Sequence, residues 1–272
     1  MKQLLFVILL LLPCLSFAKD EIDNKEHQKA SEGLWNYKRF LLDENGKWSV
    51  GAGAIIRNSP FKGEKVDITP IPMIDYSSKN LFIRGLRAGY HIKRVTNFRE
   101  GDFFLDGFIS PRMRPGDSRR KLTLDGGLSG GYQSIFGALT LSAQQNLTGG
   151  NGTELSANYT LRLGTRNRVH SFMPSVSLIW QSERMANHMW GIDQQTYLKT
   201  LANPNEVTLD PYHINGSILN YQAAMTYVYR IDDHWNVMTS ANITALADKI
   251  TDNPAVEKNF DYGFILGVAY TF

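Results

Sequence analysis

Apolar and polar residues alternate one by one in short segments along most of this chain. After Ser16 no apolar run approaches the roughly 20 residues that a membrane-spanning helix requires. A period of two describes a strand with one oily face and one polar face. In residues 122–132 the oily set is Leu122, Leu124, Leu128 and Tyr132, and the other set includes Thr123, Asp125 and Ser129. In residues 155–163, Leu155, Ala157, Tyr159, Leu161 and Leu163 oppose Ser156, Asn158, Thr160 and Arg162. In residues 219–229, Leu219, Tyr221, Ala223, Met225, Tyr227 and Tyr229 oppose Asn220, Gln222, Ala224 and Thr226. Each is the pattern of a strand with lipid outside and a polar lumen inside.

Weaker versions cover Trp48–Ile56, Ile68–Tyr76, Leu81–Ile92, Asp102–Ile109, Ala138–Asn146, Ser171–Gln181 and Trp235–Ala245, and with the closing Gly263–Phe272 they make eleven strands. Single-chain bacterial barrels close with an even number, which leaves both termini on the periplasmic side. A poorly patterned stretch, Met185–Asp193, supplies a twelfth. The reading is therefore all-β: an antiparallel transmembrane β-barrel of about 12 strands, with 10 or 14 as alternatives, closed by a C-terminal strand ending in Phe272. It makes Ser77–Asn80 and Ile231–His234 periplasmic turns and Gln194–Gly216 and Asp248–Asn259 external loops. It leaves Ser134–Gly137 short for the external loop that the count assigns there.

A soluble sandwich also alternates, but it buries its oily face against a second sheet and has no reason to collect aromatic residues at strand ends. Here Tyr76, Tyr90, Tyr132, Trp180, Tyr227, Tyr229, Trp235, Tyr270 and Phe272 fall at or near such ends, as girdles at two membrane interfaces require. Inward Asp125, Arg162, Arg84 and Arg87 line a narrow path or pair across a filled lumen.

The beginning of the chain agrees with export. Lys2 precedes an apolar run from Leu4 to Leu12, and Ser16-Phe17-Ala18 offers small residues at a cleavage site, so 1–18 reads as a signal peptide. Residues 19–46 read as a polar periplasmic segment and 47–272 as the barrel. Cleavage removes Cys14, the sole cysteine, which excludes disulfides and thiolate metal sites. Without Lys2, 28 basic residues face 26 acidic ones, a balance that gives no reason to expect a nucleic acid partner.

No catalytic set, metal site or cofactor is expected, and the reading is not that of an enzyme. Adjacent strand residues point to opposite faces, so His170 and Ser171 do not make a base and nucleophile. His213 and Ser217 lack an identifiable orienting acid. The acidic groups Asp20, Glu21, Asp23 and Glu26, and Asp232 and Asp233, lack the spacing of a calcium loop.

Two resemblances add to this. The last strand, with Phe264, Leu266, Val268, Tyr270 and a terminal Phe272 on one face, resembles the signal by which outer-membrane proteins are recognised by the barrel-assembly machinery. Across the whole mature length, WSVGAGAIIRNSPFKGEKVDITPIPMIDY, SRRKLTLDGGLSGGY, MWGIDQQTY and ADKITDNPAVEKNFDYGFILGVAYTF resemble the MipA/OmpV family of outer-membrane proteins. Gly51, Gly53, Gly63 and Pro72 match its early glycine-rich and proline-containing strands, and Asp252, Asn253 and Pro254 its closing segment. Met189-Trp190-Gly191-Ile192 departs from the paired aromatic residues more usual there.

The resemblance implies a scaffold that links a murein lytic transglycosylase to a peptidoglycan synthase at the inner surface of the outer membrane, with outer-membrane lipid around it. The alternatives are a narrow pore or an osmotically regulated or adhesive surface protein. A scaffold needs periplasmic surface, and two stretches are candidates: Lys19–Lys47, and the basic turn Pro111–Lys121 with Arg112, Arg114, Arg119, Arg120 and Lys121. The turn also reads as a solvated loop whose charges keep it out of the bilayer.

Overall fold

The computed structural model describes residues 46–97, 101–116, 121–134, 136–150, 152–165, 169–203 and 207–272. The expected signal peptide, nearly all of the polar N-terminal segment, and Arg119 and Arg120 lie outside these residues. The strands are β1 (Lys47–Arg57), β2 (Asp67–Ser77), β3 (Leu81–Arg84), β4 (Arg87–Asn97), β5 (Gly101–Met113), β6 (Leu122–Ser134) and β7 (Gly137–Asn146). They continue as β8 (Thr153–Thr160), β9 (Leu163–Gly164), β10 (His170–Gln181), β11 (Ile218–Arg230), β12 (Trp235–Ala245) and β13 (Phe260–Thr271). Among the described residues, three helices sit in the connections: α1 (Glu183–Trp190), α2 (Gln194–Ala202) and α3 (Asp248–Thr251).

Twelve of the strands form a closed antiparallel ring, because β10 pairs with both β8 and β11 and β13 pairs with β1; the two-residue β9 only extends the edge of β10. The closing seam runs from Ser49 opposite Thr271 to Arg57 opposite Gly263. Phe272 adds its N–H to the Trp48 carbonyl at 2.9 Å, so the ladder continues to the last residue.

Alternation sets which side chains meet lipid. Leu141, Leu128, Leu178 and Leu266 are about half exposed on the outer wall, while Thr123, Asp125 and Ser129 are buried within it. Inward glycines let the wall close tightly: a Cβ on Gly53 would lie 2.6 Å from the Leu266 carbonyl and 3.0 Å from the Met73 sulfur.

Several expectations change. Residues 185–193 are not a strand; most of them belong to α1, which is capped by the Ser182 hydroxyl and buries Met185, Ala186, Met189 and Trp190 on one face at helical spacing. The missing stave comes from Leu81–Ile92, which is a hairpin of β3 and β4 turning through Gly85 at φ +60°, a conformation that suits glycine. That shift carries the β6–β7 connection to the same rim as Ser78–Asn80 and Ile231–His234, where a short turn is normal. Leu161 lies just past the end of β8, its N–H bonded to the Pro174 carbonyl at 2.9 Å in the register that β8 and β9 share along β10.

The aromatic residues are also distributed unequally. Trp48 lies tilted against Tyr76 at 4.5 Å, Phe103 against Tyr132 at 4.7 Å, Phe172 against Tyr227 at 4.8 Å, and Tyr270 meets Trp235 at 5.1 Å and Phe272 at 5.0 Å. All belong to the rim where β1 starts and β13 ends, which an even strand number makes periplasmic. Of the aromatic residues expected to form two girdles, only Trp180 stands at the other rim.

The external rim carries a cap with its own core. Phe61 from the β1–β2 connection, Met185, Ala186, Trp190, Leu209 and Ile214 from the β10–β11 connection, and Leu246, Ile250, Ala255 and Val256 around α3 pack together and are nearly inaccessible. Short bridges fasten these pieces: Phe61 pairs with Val256, and Ile192 pairs with Tyr212. Asn187 clamps Ile214, donating to its carbonyl at 2.7 Å and accepting from its N–H at 2.8 Å.

Candidate functional site: a filled lumen beneath an external cap

Immediately below the cap, side chains from four strands gather around Arg112 of β5. Its guanidinium donates to Glu154 at 2.9 and 3.0 Å, and its Nε donates to Asp125. Glu154 also accepts from Gln144 at 2.6 Å and from Gln181 at 2.7 Å. Asp125 accepts from Asn146 at 2.8 Å, and the same amide nitrogen reaches Thr123 at 2.9 Å. The Trp190 indole N–H, from α1, donates to Gln181 at 3.1 Å and ties the network to the cap. One guanidinium is shared by two carboxylates, and the remaining lone pairs are met by amides. A buried ion cluster requires this if desolvation is not to dominate.

A second cluster fills the lumen lower down, on β3, β4 and β5. His91 Nδ1 and Asp106 lie 2.7 Å apart, and Phe82 stacks on the His91 ring at 4.8 Å. Arg87 donates to Ser129 at 2.8 Å and lies 3.4 Å from the centre of the Phe108 ring. Of the inward residues expected to line a path, Asp125 is paired with Arg112, Arg87 is bonded to Ser129, and Arg84 lies 5.0 Å from the Phe82 ring. Beside the Arg112 network and beneath the cap remains a cavity of about 410 Å³, bordered by Arg57, Arg112, Trp190, Gln222, Thr244 and Asp261.

The structure separates the residues of the expected docking turn. Arg112 lies inside the barrel in the network above. Arg114 and Lys121 flank the β5–β6 connection, which opens at the cap rim, opposite Lys47 and Phe272. This turn faces outward, not toward the periplasm, because counting β3 and β4 separately reverses the direction of β5. Burial lowers the Arg114 pKa while Asp193 opposes the shift. Burial pushes the neighbouring His188 down to about 4, aided by Arg114, Lys121 and Arg112. Its Nε2 is buried without a hydrogen-bond partner among the described residues.

Phe264, Leu266, Val268 and Phe272 share the outer face of β13, Phe272 being the most exposed at 73%. His170 bonds the Tyr227 hydroxyl at 2.8 Å within the periplasmic aromatic ring, and His213 faces Glu183 at 3.4 Å. Sequence reasoning missed the network partners Gln144, Asn146, Glu154 and Gln181. Their inward positions at strand ends near Asp125 were the available signal.

A closed twelve-strand wall with an apolar outer band and a polar lumen defines an outer-membrane β-barrel protein, and the outer membrane is where it resides. The family model described as MltA-interacting protein MipA matches residues 50–272, and the chain belongs to that family. The MltA-interacting protein of Escherichia coli (strain K12) is 27% identical over 242 residues, covering 84% of this chain and 91% of the relative. YiaT of the same organism, whose name provisionally places it in the outer membrane, is 24% identical over 237 residues, covering 82% and 90%. Among solved structures, the outer membrane protein OprD of Pseudomonas aeruginosa is similar at 11% identity with a TM-score of 0.38, over 83% of this chain and 65% of that one. OmpT of Vibrio cholerae is similar at 6% identity and 0.38, over 84% and 97%.

Proposed function

We propose that this protein is a non-catalytic scaffold that holds peptidoglycan-remodelling enzymes, a murein lytic transglycosylase and a peptidoglycan synthase, at the inner surface of the outer membrane. The observation that carries the reading is a lumen obstructed by the Arg112 network and roofed by the cap, which speaks against a pore. The name of the MltA-interacting relative supports the class of partner. The docking element is assigned to the polar segment Lys19–Lys47, since the turn around Arg114 opens at the opposite rim. The terminal strand through Phe272 serves as the assembly signal for the barrel-assembly machinery.

Deleting Lys19–Asp43 after the signal peptide tests the reading. The expected result is loss of co-purification with both murein enzymes, with heat-modifiable migration of the barrel retained. Retention of both partners by the deletion variant would remove the segment from the docking surface. Discrete conductance steps from the wild type in planar bilayers, with no partner retained, would favour the narrow pore.

A further inference from the structure

The ring of strands is complete at its lower half only. β3 reaches no higher than Arg84, opposite Asp75, and β4 starts at Arg87, opposite the same level of the wall. The pairing of β5 with β4 stops at Ile109 opposite Ala88. Above the hairpin tip, Asp67–Ile74 of β2 and Ser110–Met113 of β5 therefore have no strand between them among the described residues. The loops close this space from above. Gly116 lies against Phe61 and the Glu64 carboxylate, where a Cβ would come within 3.4 and 3.0 Å respectively. The result is a window in the wall with two strand edges as jambs, the Gly85–Leu86 turn as sill and the loops as lintel.

The backbone direction of the jambs can be worked out. The Ile74 carbonyl accepts from the Gly85 N–H at 2.7 Å, so the even-numbered residues of β2 turn their peptide groups toward β3 and the window. Arg114 N–H donates to the Lys121 carbonyl at 3.2 Å, so the even-numbered residues of β5 face β6 and the odd-numbered ones face β4 and the window. The positions facing the window are thus Ile68, Pro70 and Pro72 on one side and Pro111 and Met113 on the other. Proline has no N–H to leave unpaired, and it also offers no donor to an incoming strand. The edges are kept open rather than prepared for augmentation.

The Pro111 carbonyl accepts from the Ser110 hydroxyl at 3.4 Å; the other window-facing carbonyls need partners at a depth where the outer wall is apolar. Ile68 and Leu122, on the outside near the two jambs, are each 65% exposed. Unpaired backbone at membrane depth is tolerated where it lines a water-filled cavity. Such a cavity lies against one jamb: the 410 Å³ space is bordered by Ser110, Pro111 and Met113 of β5, and by Ile55 and Arg57 of β1, which pair with Thr69 and Asp67 of the other jamb. Its other walls present both signs of charge and several amides, including Arg57, Asp261, Gln222 and Asn242.

We propose that this window is a lateral entrance by which a single-chain amphiphile binds, its uncharged or zwitterionic head in the lumenal cavity and its acyl chain leaving through the window into the outer leaflet. A cavity of this volume holds one small headgroup, and the apolar rim suits the chain.

Cys14 is the sole natural cysteine, so a single cysteine with a bimane label can report on the site. Ser110→Cys and, on the other jamb, Thr69→Cys place the label on lumen-facing positions; Asn158→Cys, facing the lumen where β8 is fully paired with β7 and β10, is the control. The proteins are reconstituted in phosphatidylcholine vesicles and titrated with lysophosphatidylcholine brominated at mid-chain. The expected result is saturable quenching of at least twofold at 110 and 69, and none at 158. Equal quenching at all three, or quenching at 110 and 69 that never saturates, would overturn the proposal. So would quenching that arises only after Lys19–Asp43 is deleted, since the N-terminal segment would then be the occupant.

Discussion

Arg112 shows how one side chain determines whether the lumen is a plug. It is the only cation in direct contact with Asp125 and Glu154 among the described residues, and both carboxylates are almost wholly buried. Replacing it by methionine keeps the unbranched stem of the side chain but leaves two buried negative charges without a counter-charge, which costs about 3–5 kcal/mol. Arg112→Met is therefore expected to lower the urea midpoint of the barrel refolded in vesicles, and Arg112→Met with Asp125→Asn and Glu154→Gln to recover most of the loss. Failure of the triple variant to recover would mean that the cost lies in packing rather than in charge. At the other rim, Phe272 contributes only its side chain, since its N–H still reaches the Trp48 carbonyl whatever residue stands there. Phe272→Ser should slow membrane insertion, seen as periplasmic accumulation by fractionation, while the fully inserted fraction keeps wild-type stability. Insertion at the wild-type rate would remove the terminal aromatic residue from the assembly role.

The cap helix α1 is the element whose stability depends on pH. His188 has its pKa lowered to about 4 in the folded cap against 6.5 when free, so the folded form prefers the neutral ring. Stability is then complete above the free value and declines as pH falls from about 6.5 toward 4, because the unfolded cap takes up the proton first. Partial exposure screens the effect to roughly 1 kcal/mol. Hydrogen exchange of α1 amides should speed up over that interval in the wild type, and His188→Gln should flatten the dependence. An unchanged profile in the variant would assign the acid sensitivity to another group. The same element marks where sequence reasoning falls short. Met185, Ala186, Met189 and Trp190 carry a helical spacing that a strand count searching for parity overrides, and Arg84-Gly85-Leu86-Arg87 is a turn hidden inside an otherwise plausible strand. The long dyads around Leu128, Tyr159 and Tyr221 were legible because lipid on one side and polar lumen on the other impose a period on every residue. The Arg112 network was not, because its members come from β5, β6, β7, β8 and β10 and meet only once shear and register are set.

At the scale of the whole molecule, two kinds of interior coexist. The cap has a small apolar core of the sort found in water-soluble domains, whereas the barrel turns its oily residues out and packs charge and amides inside. The wall is therefore asymmetric toward charge, and this gives the most direct check on its orientation. Leu141 stands on the outer face at mid-strand, 56% exposed, and Asn158 on the inner face, its amide donating to Ser177 at 2.8 Å. An arginine at the first position loses its water to hydrocarbon and should cost about 2–4 kcal/mol. At the second it enters a polar lumen and should cost much less, limited to the lost amide hydrogen bond of about 1 kcal/mol. Leu141→Arg and Asn158→Arg, refolded side by side into vesicles of one lipid, should differ in unfolding free energy in that sense. Equal losses would mean that the lumen is as dry as the bilayer, and a larger loss for Asn158→Arg would mean that the two faces are exchanged.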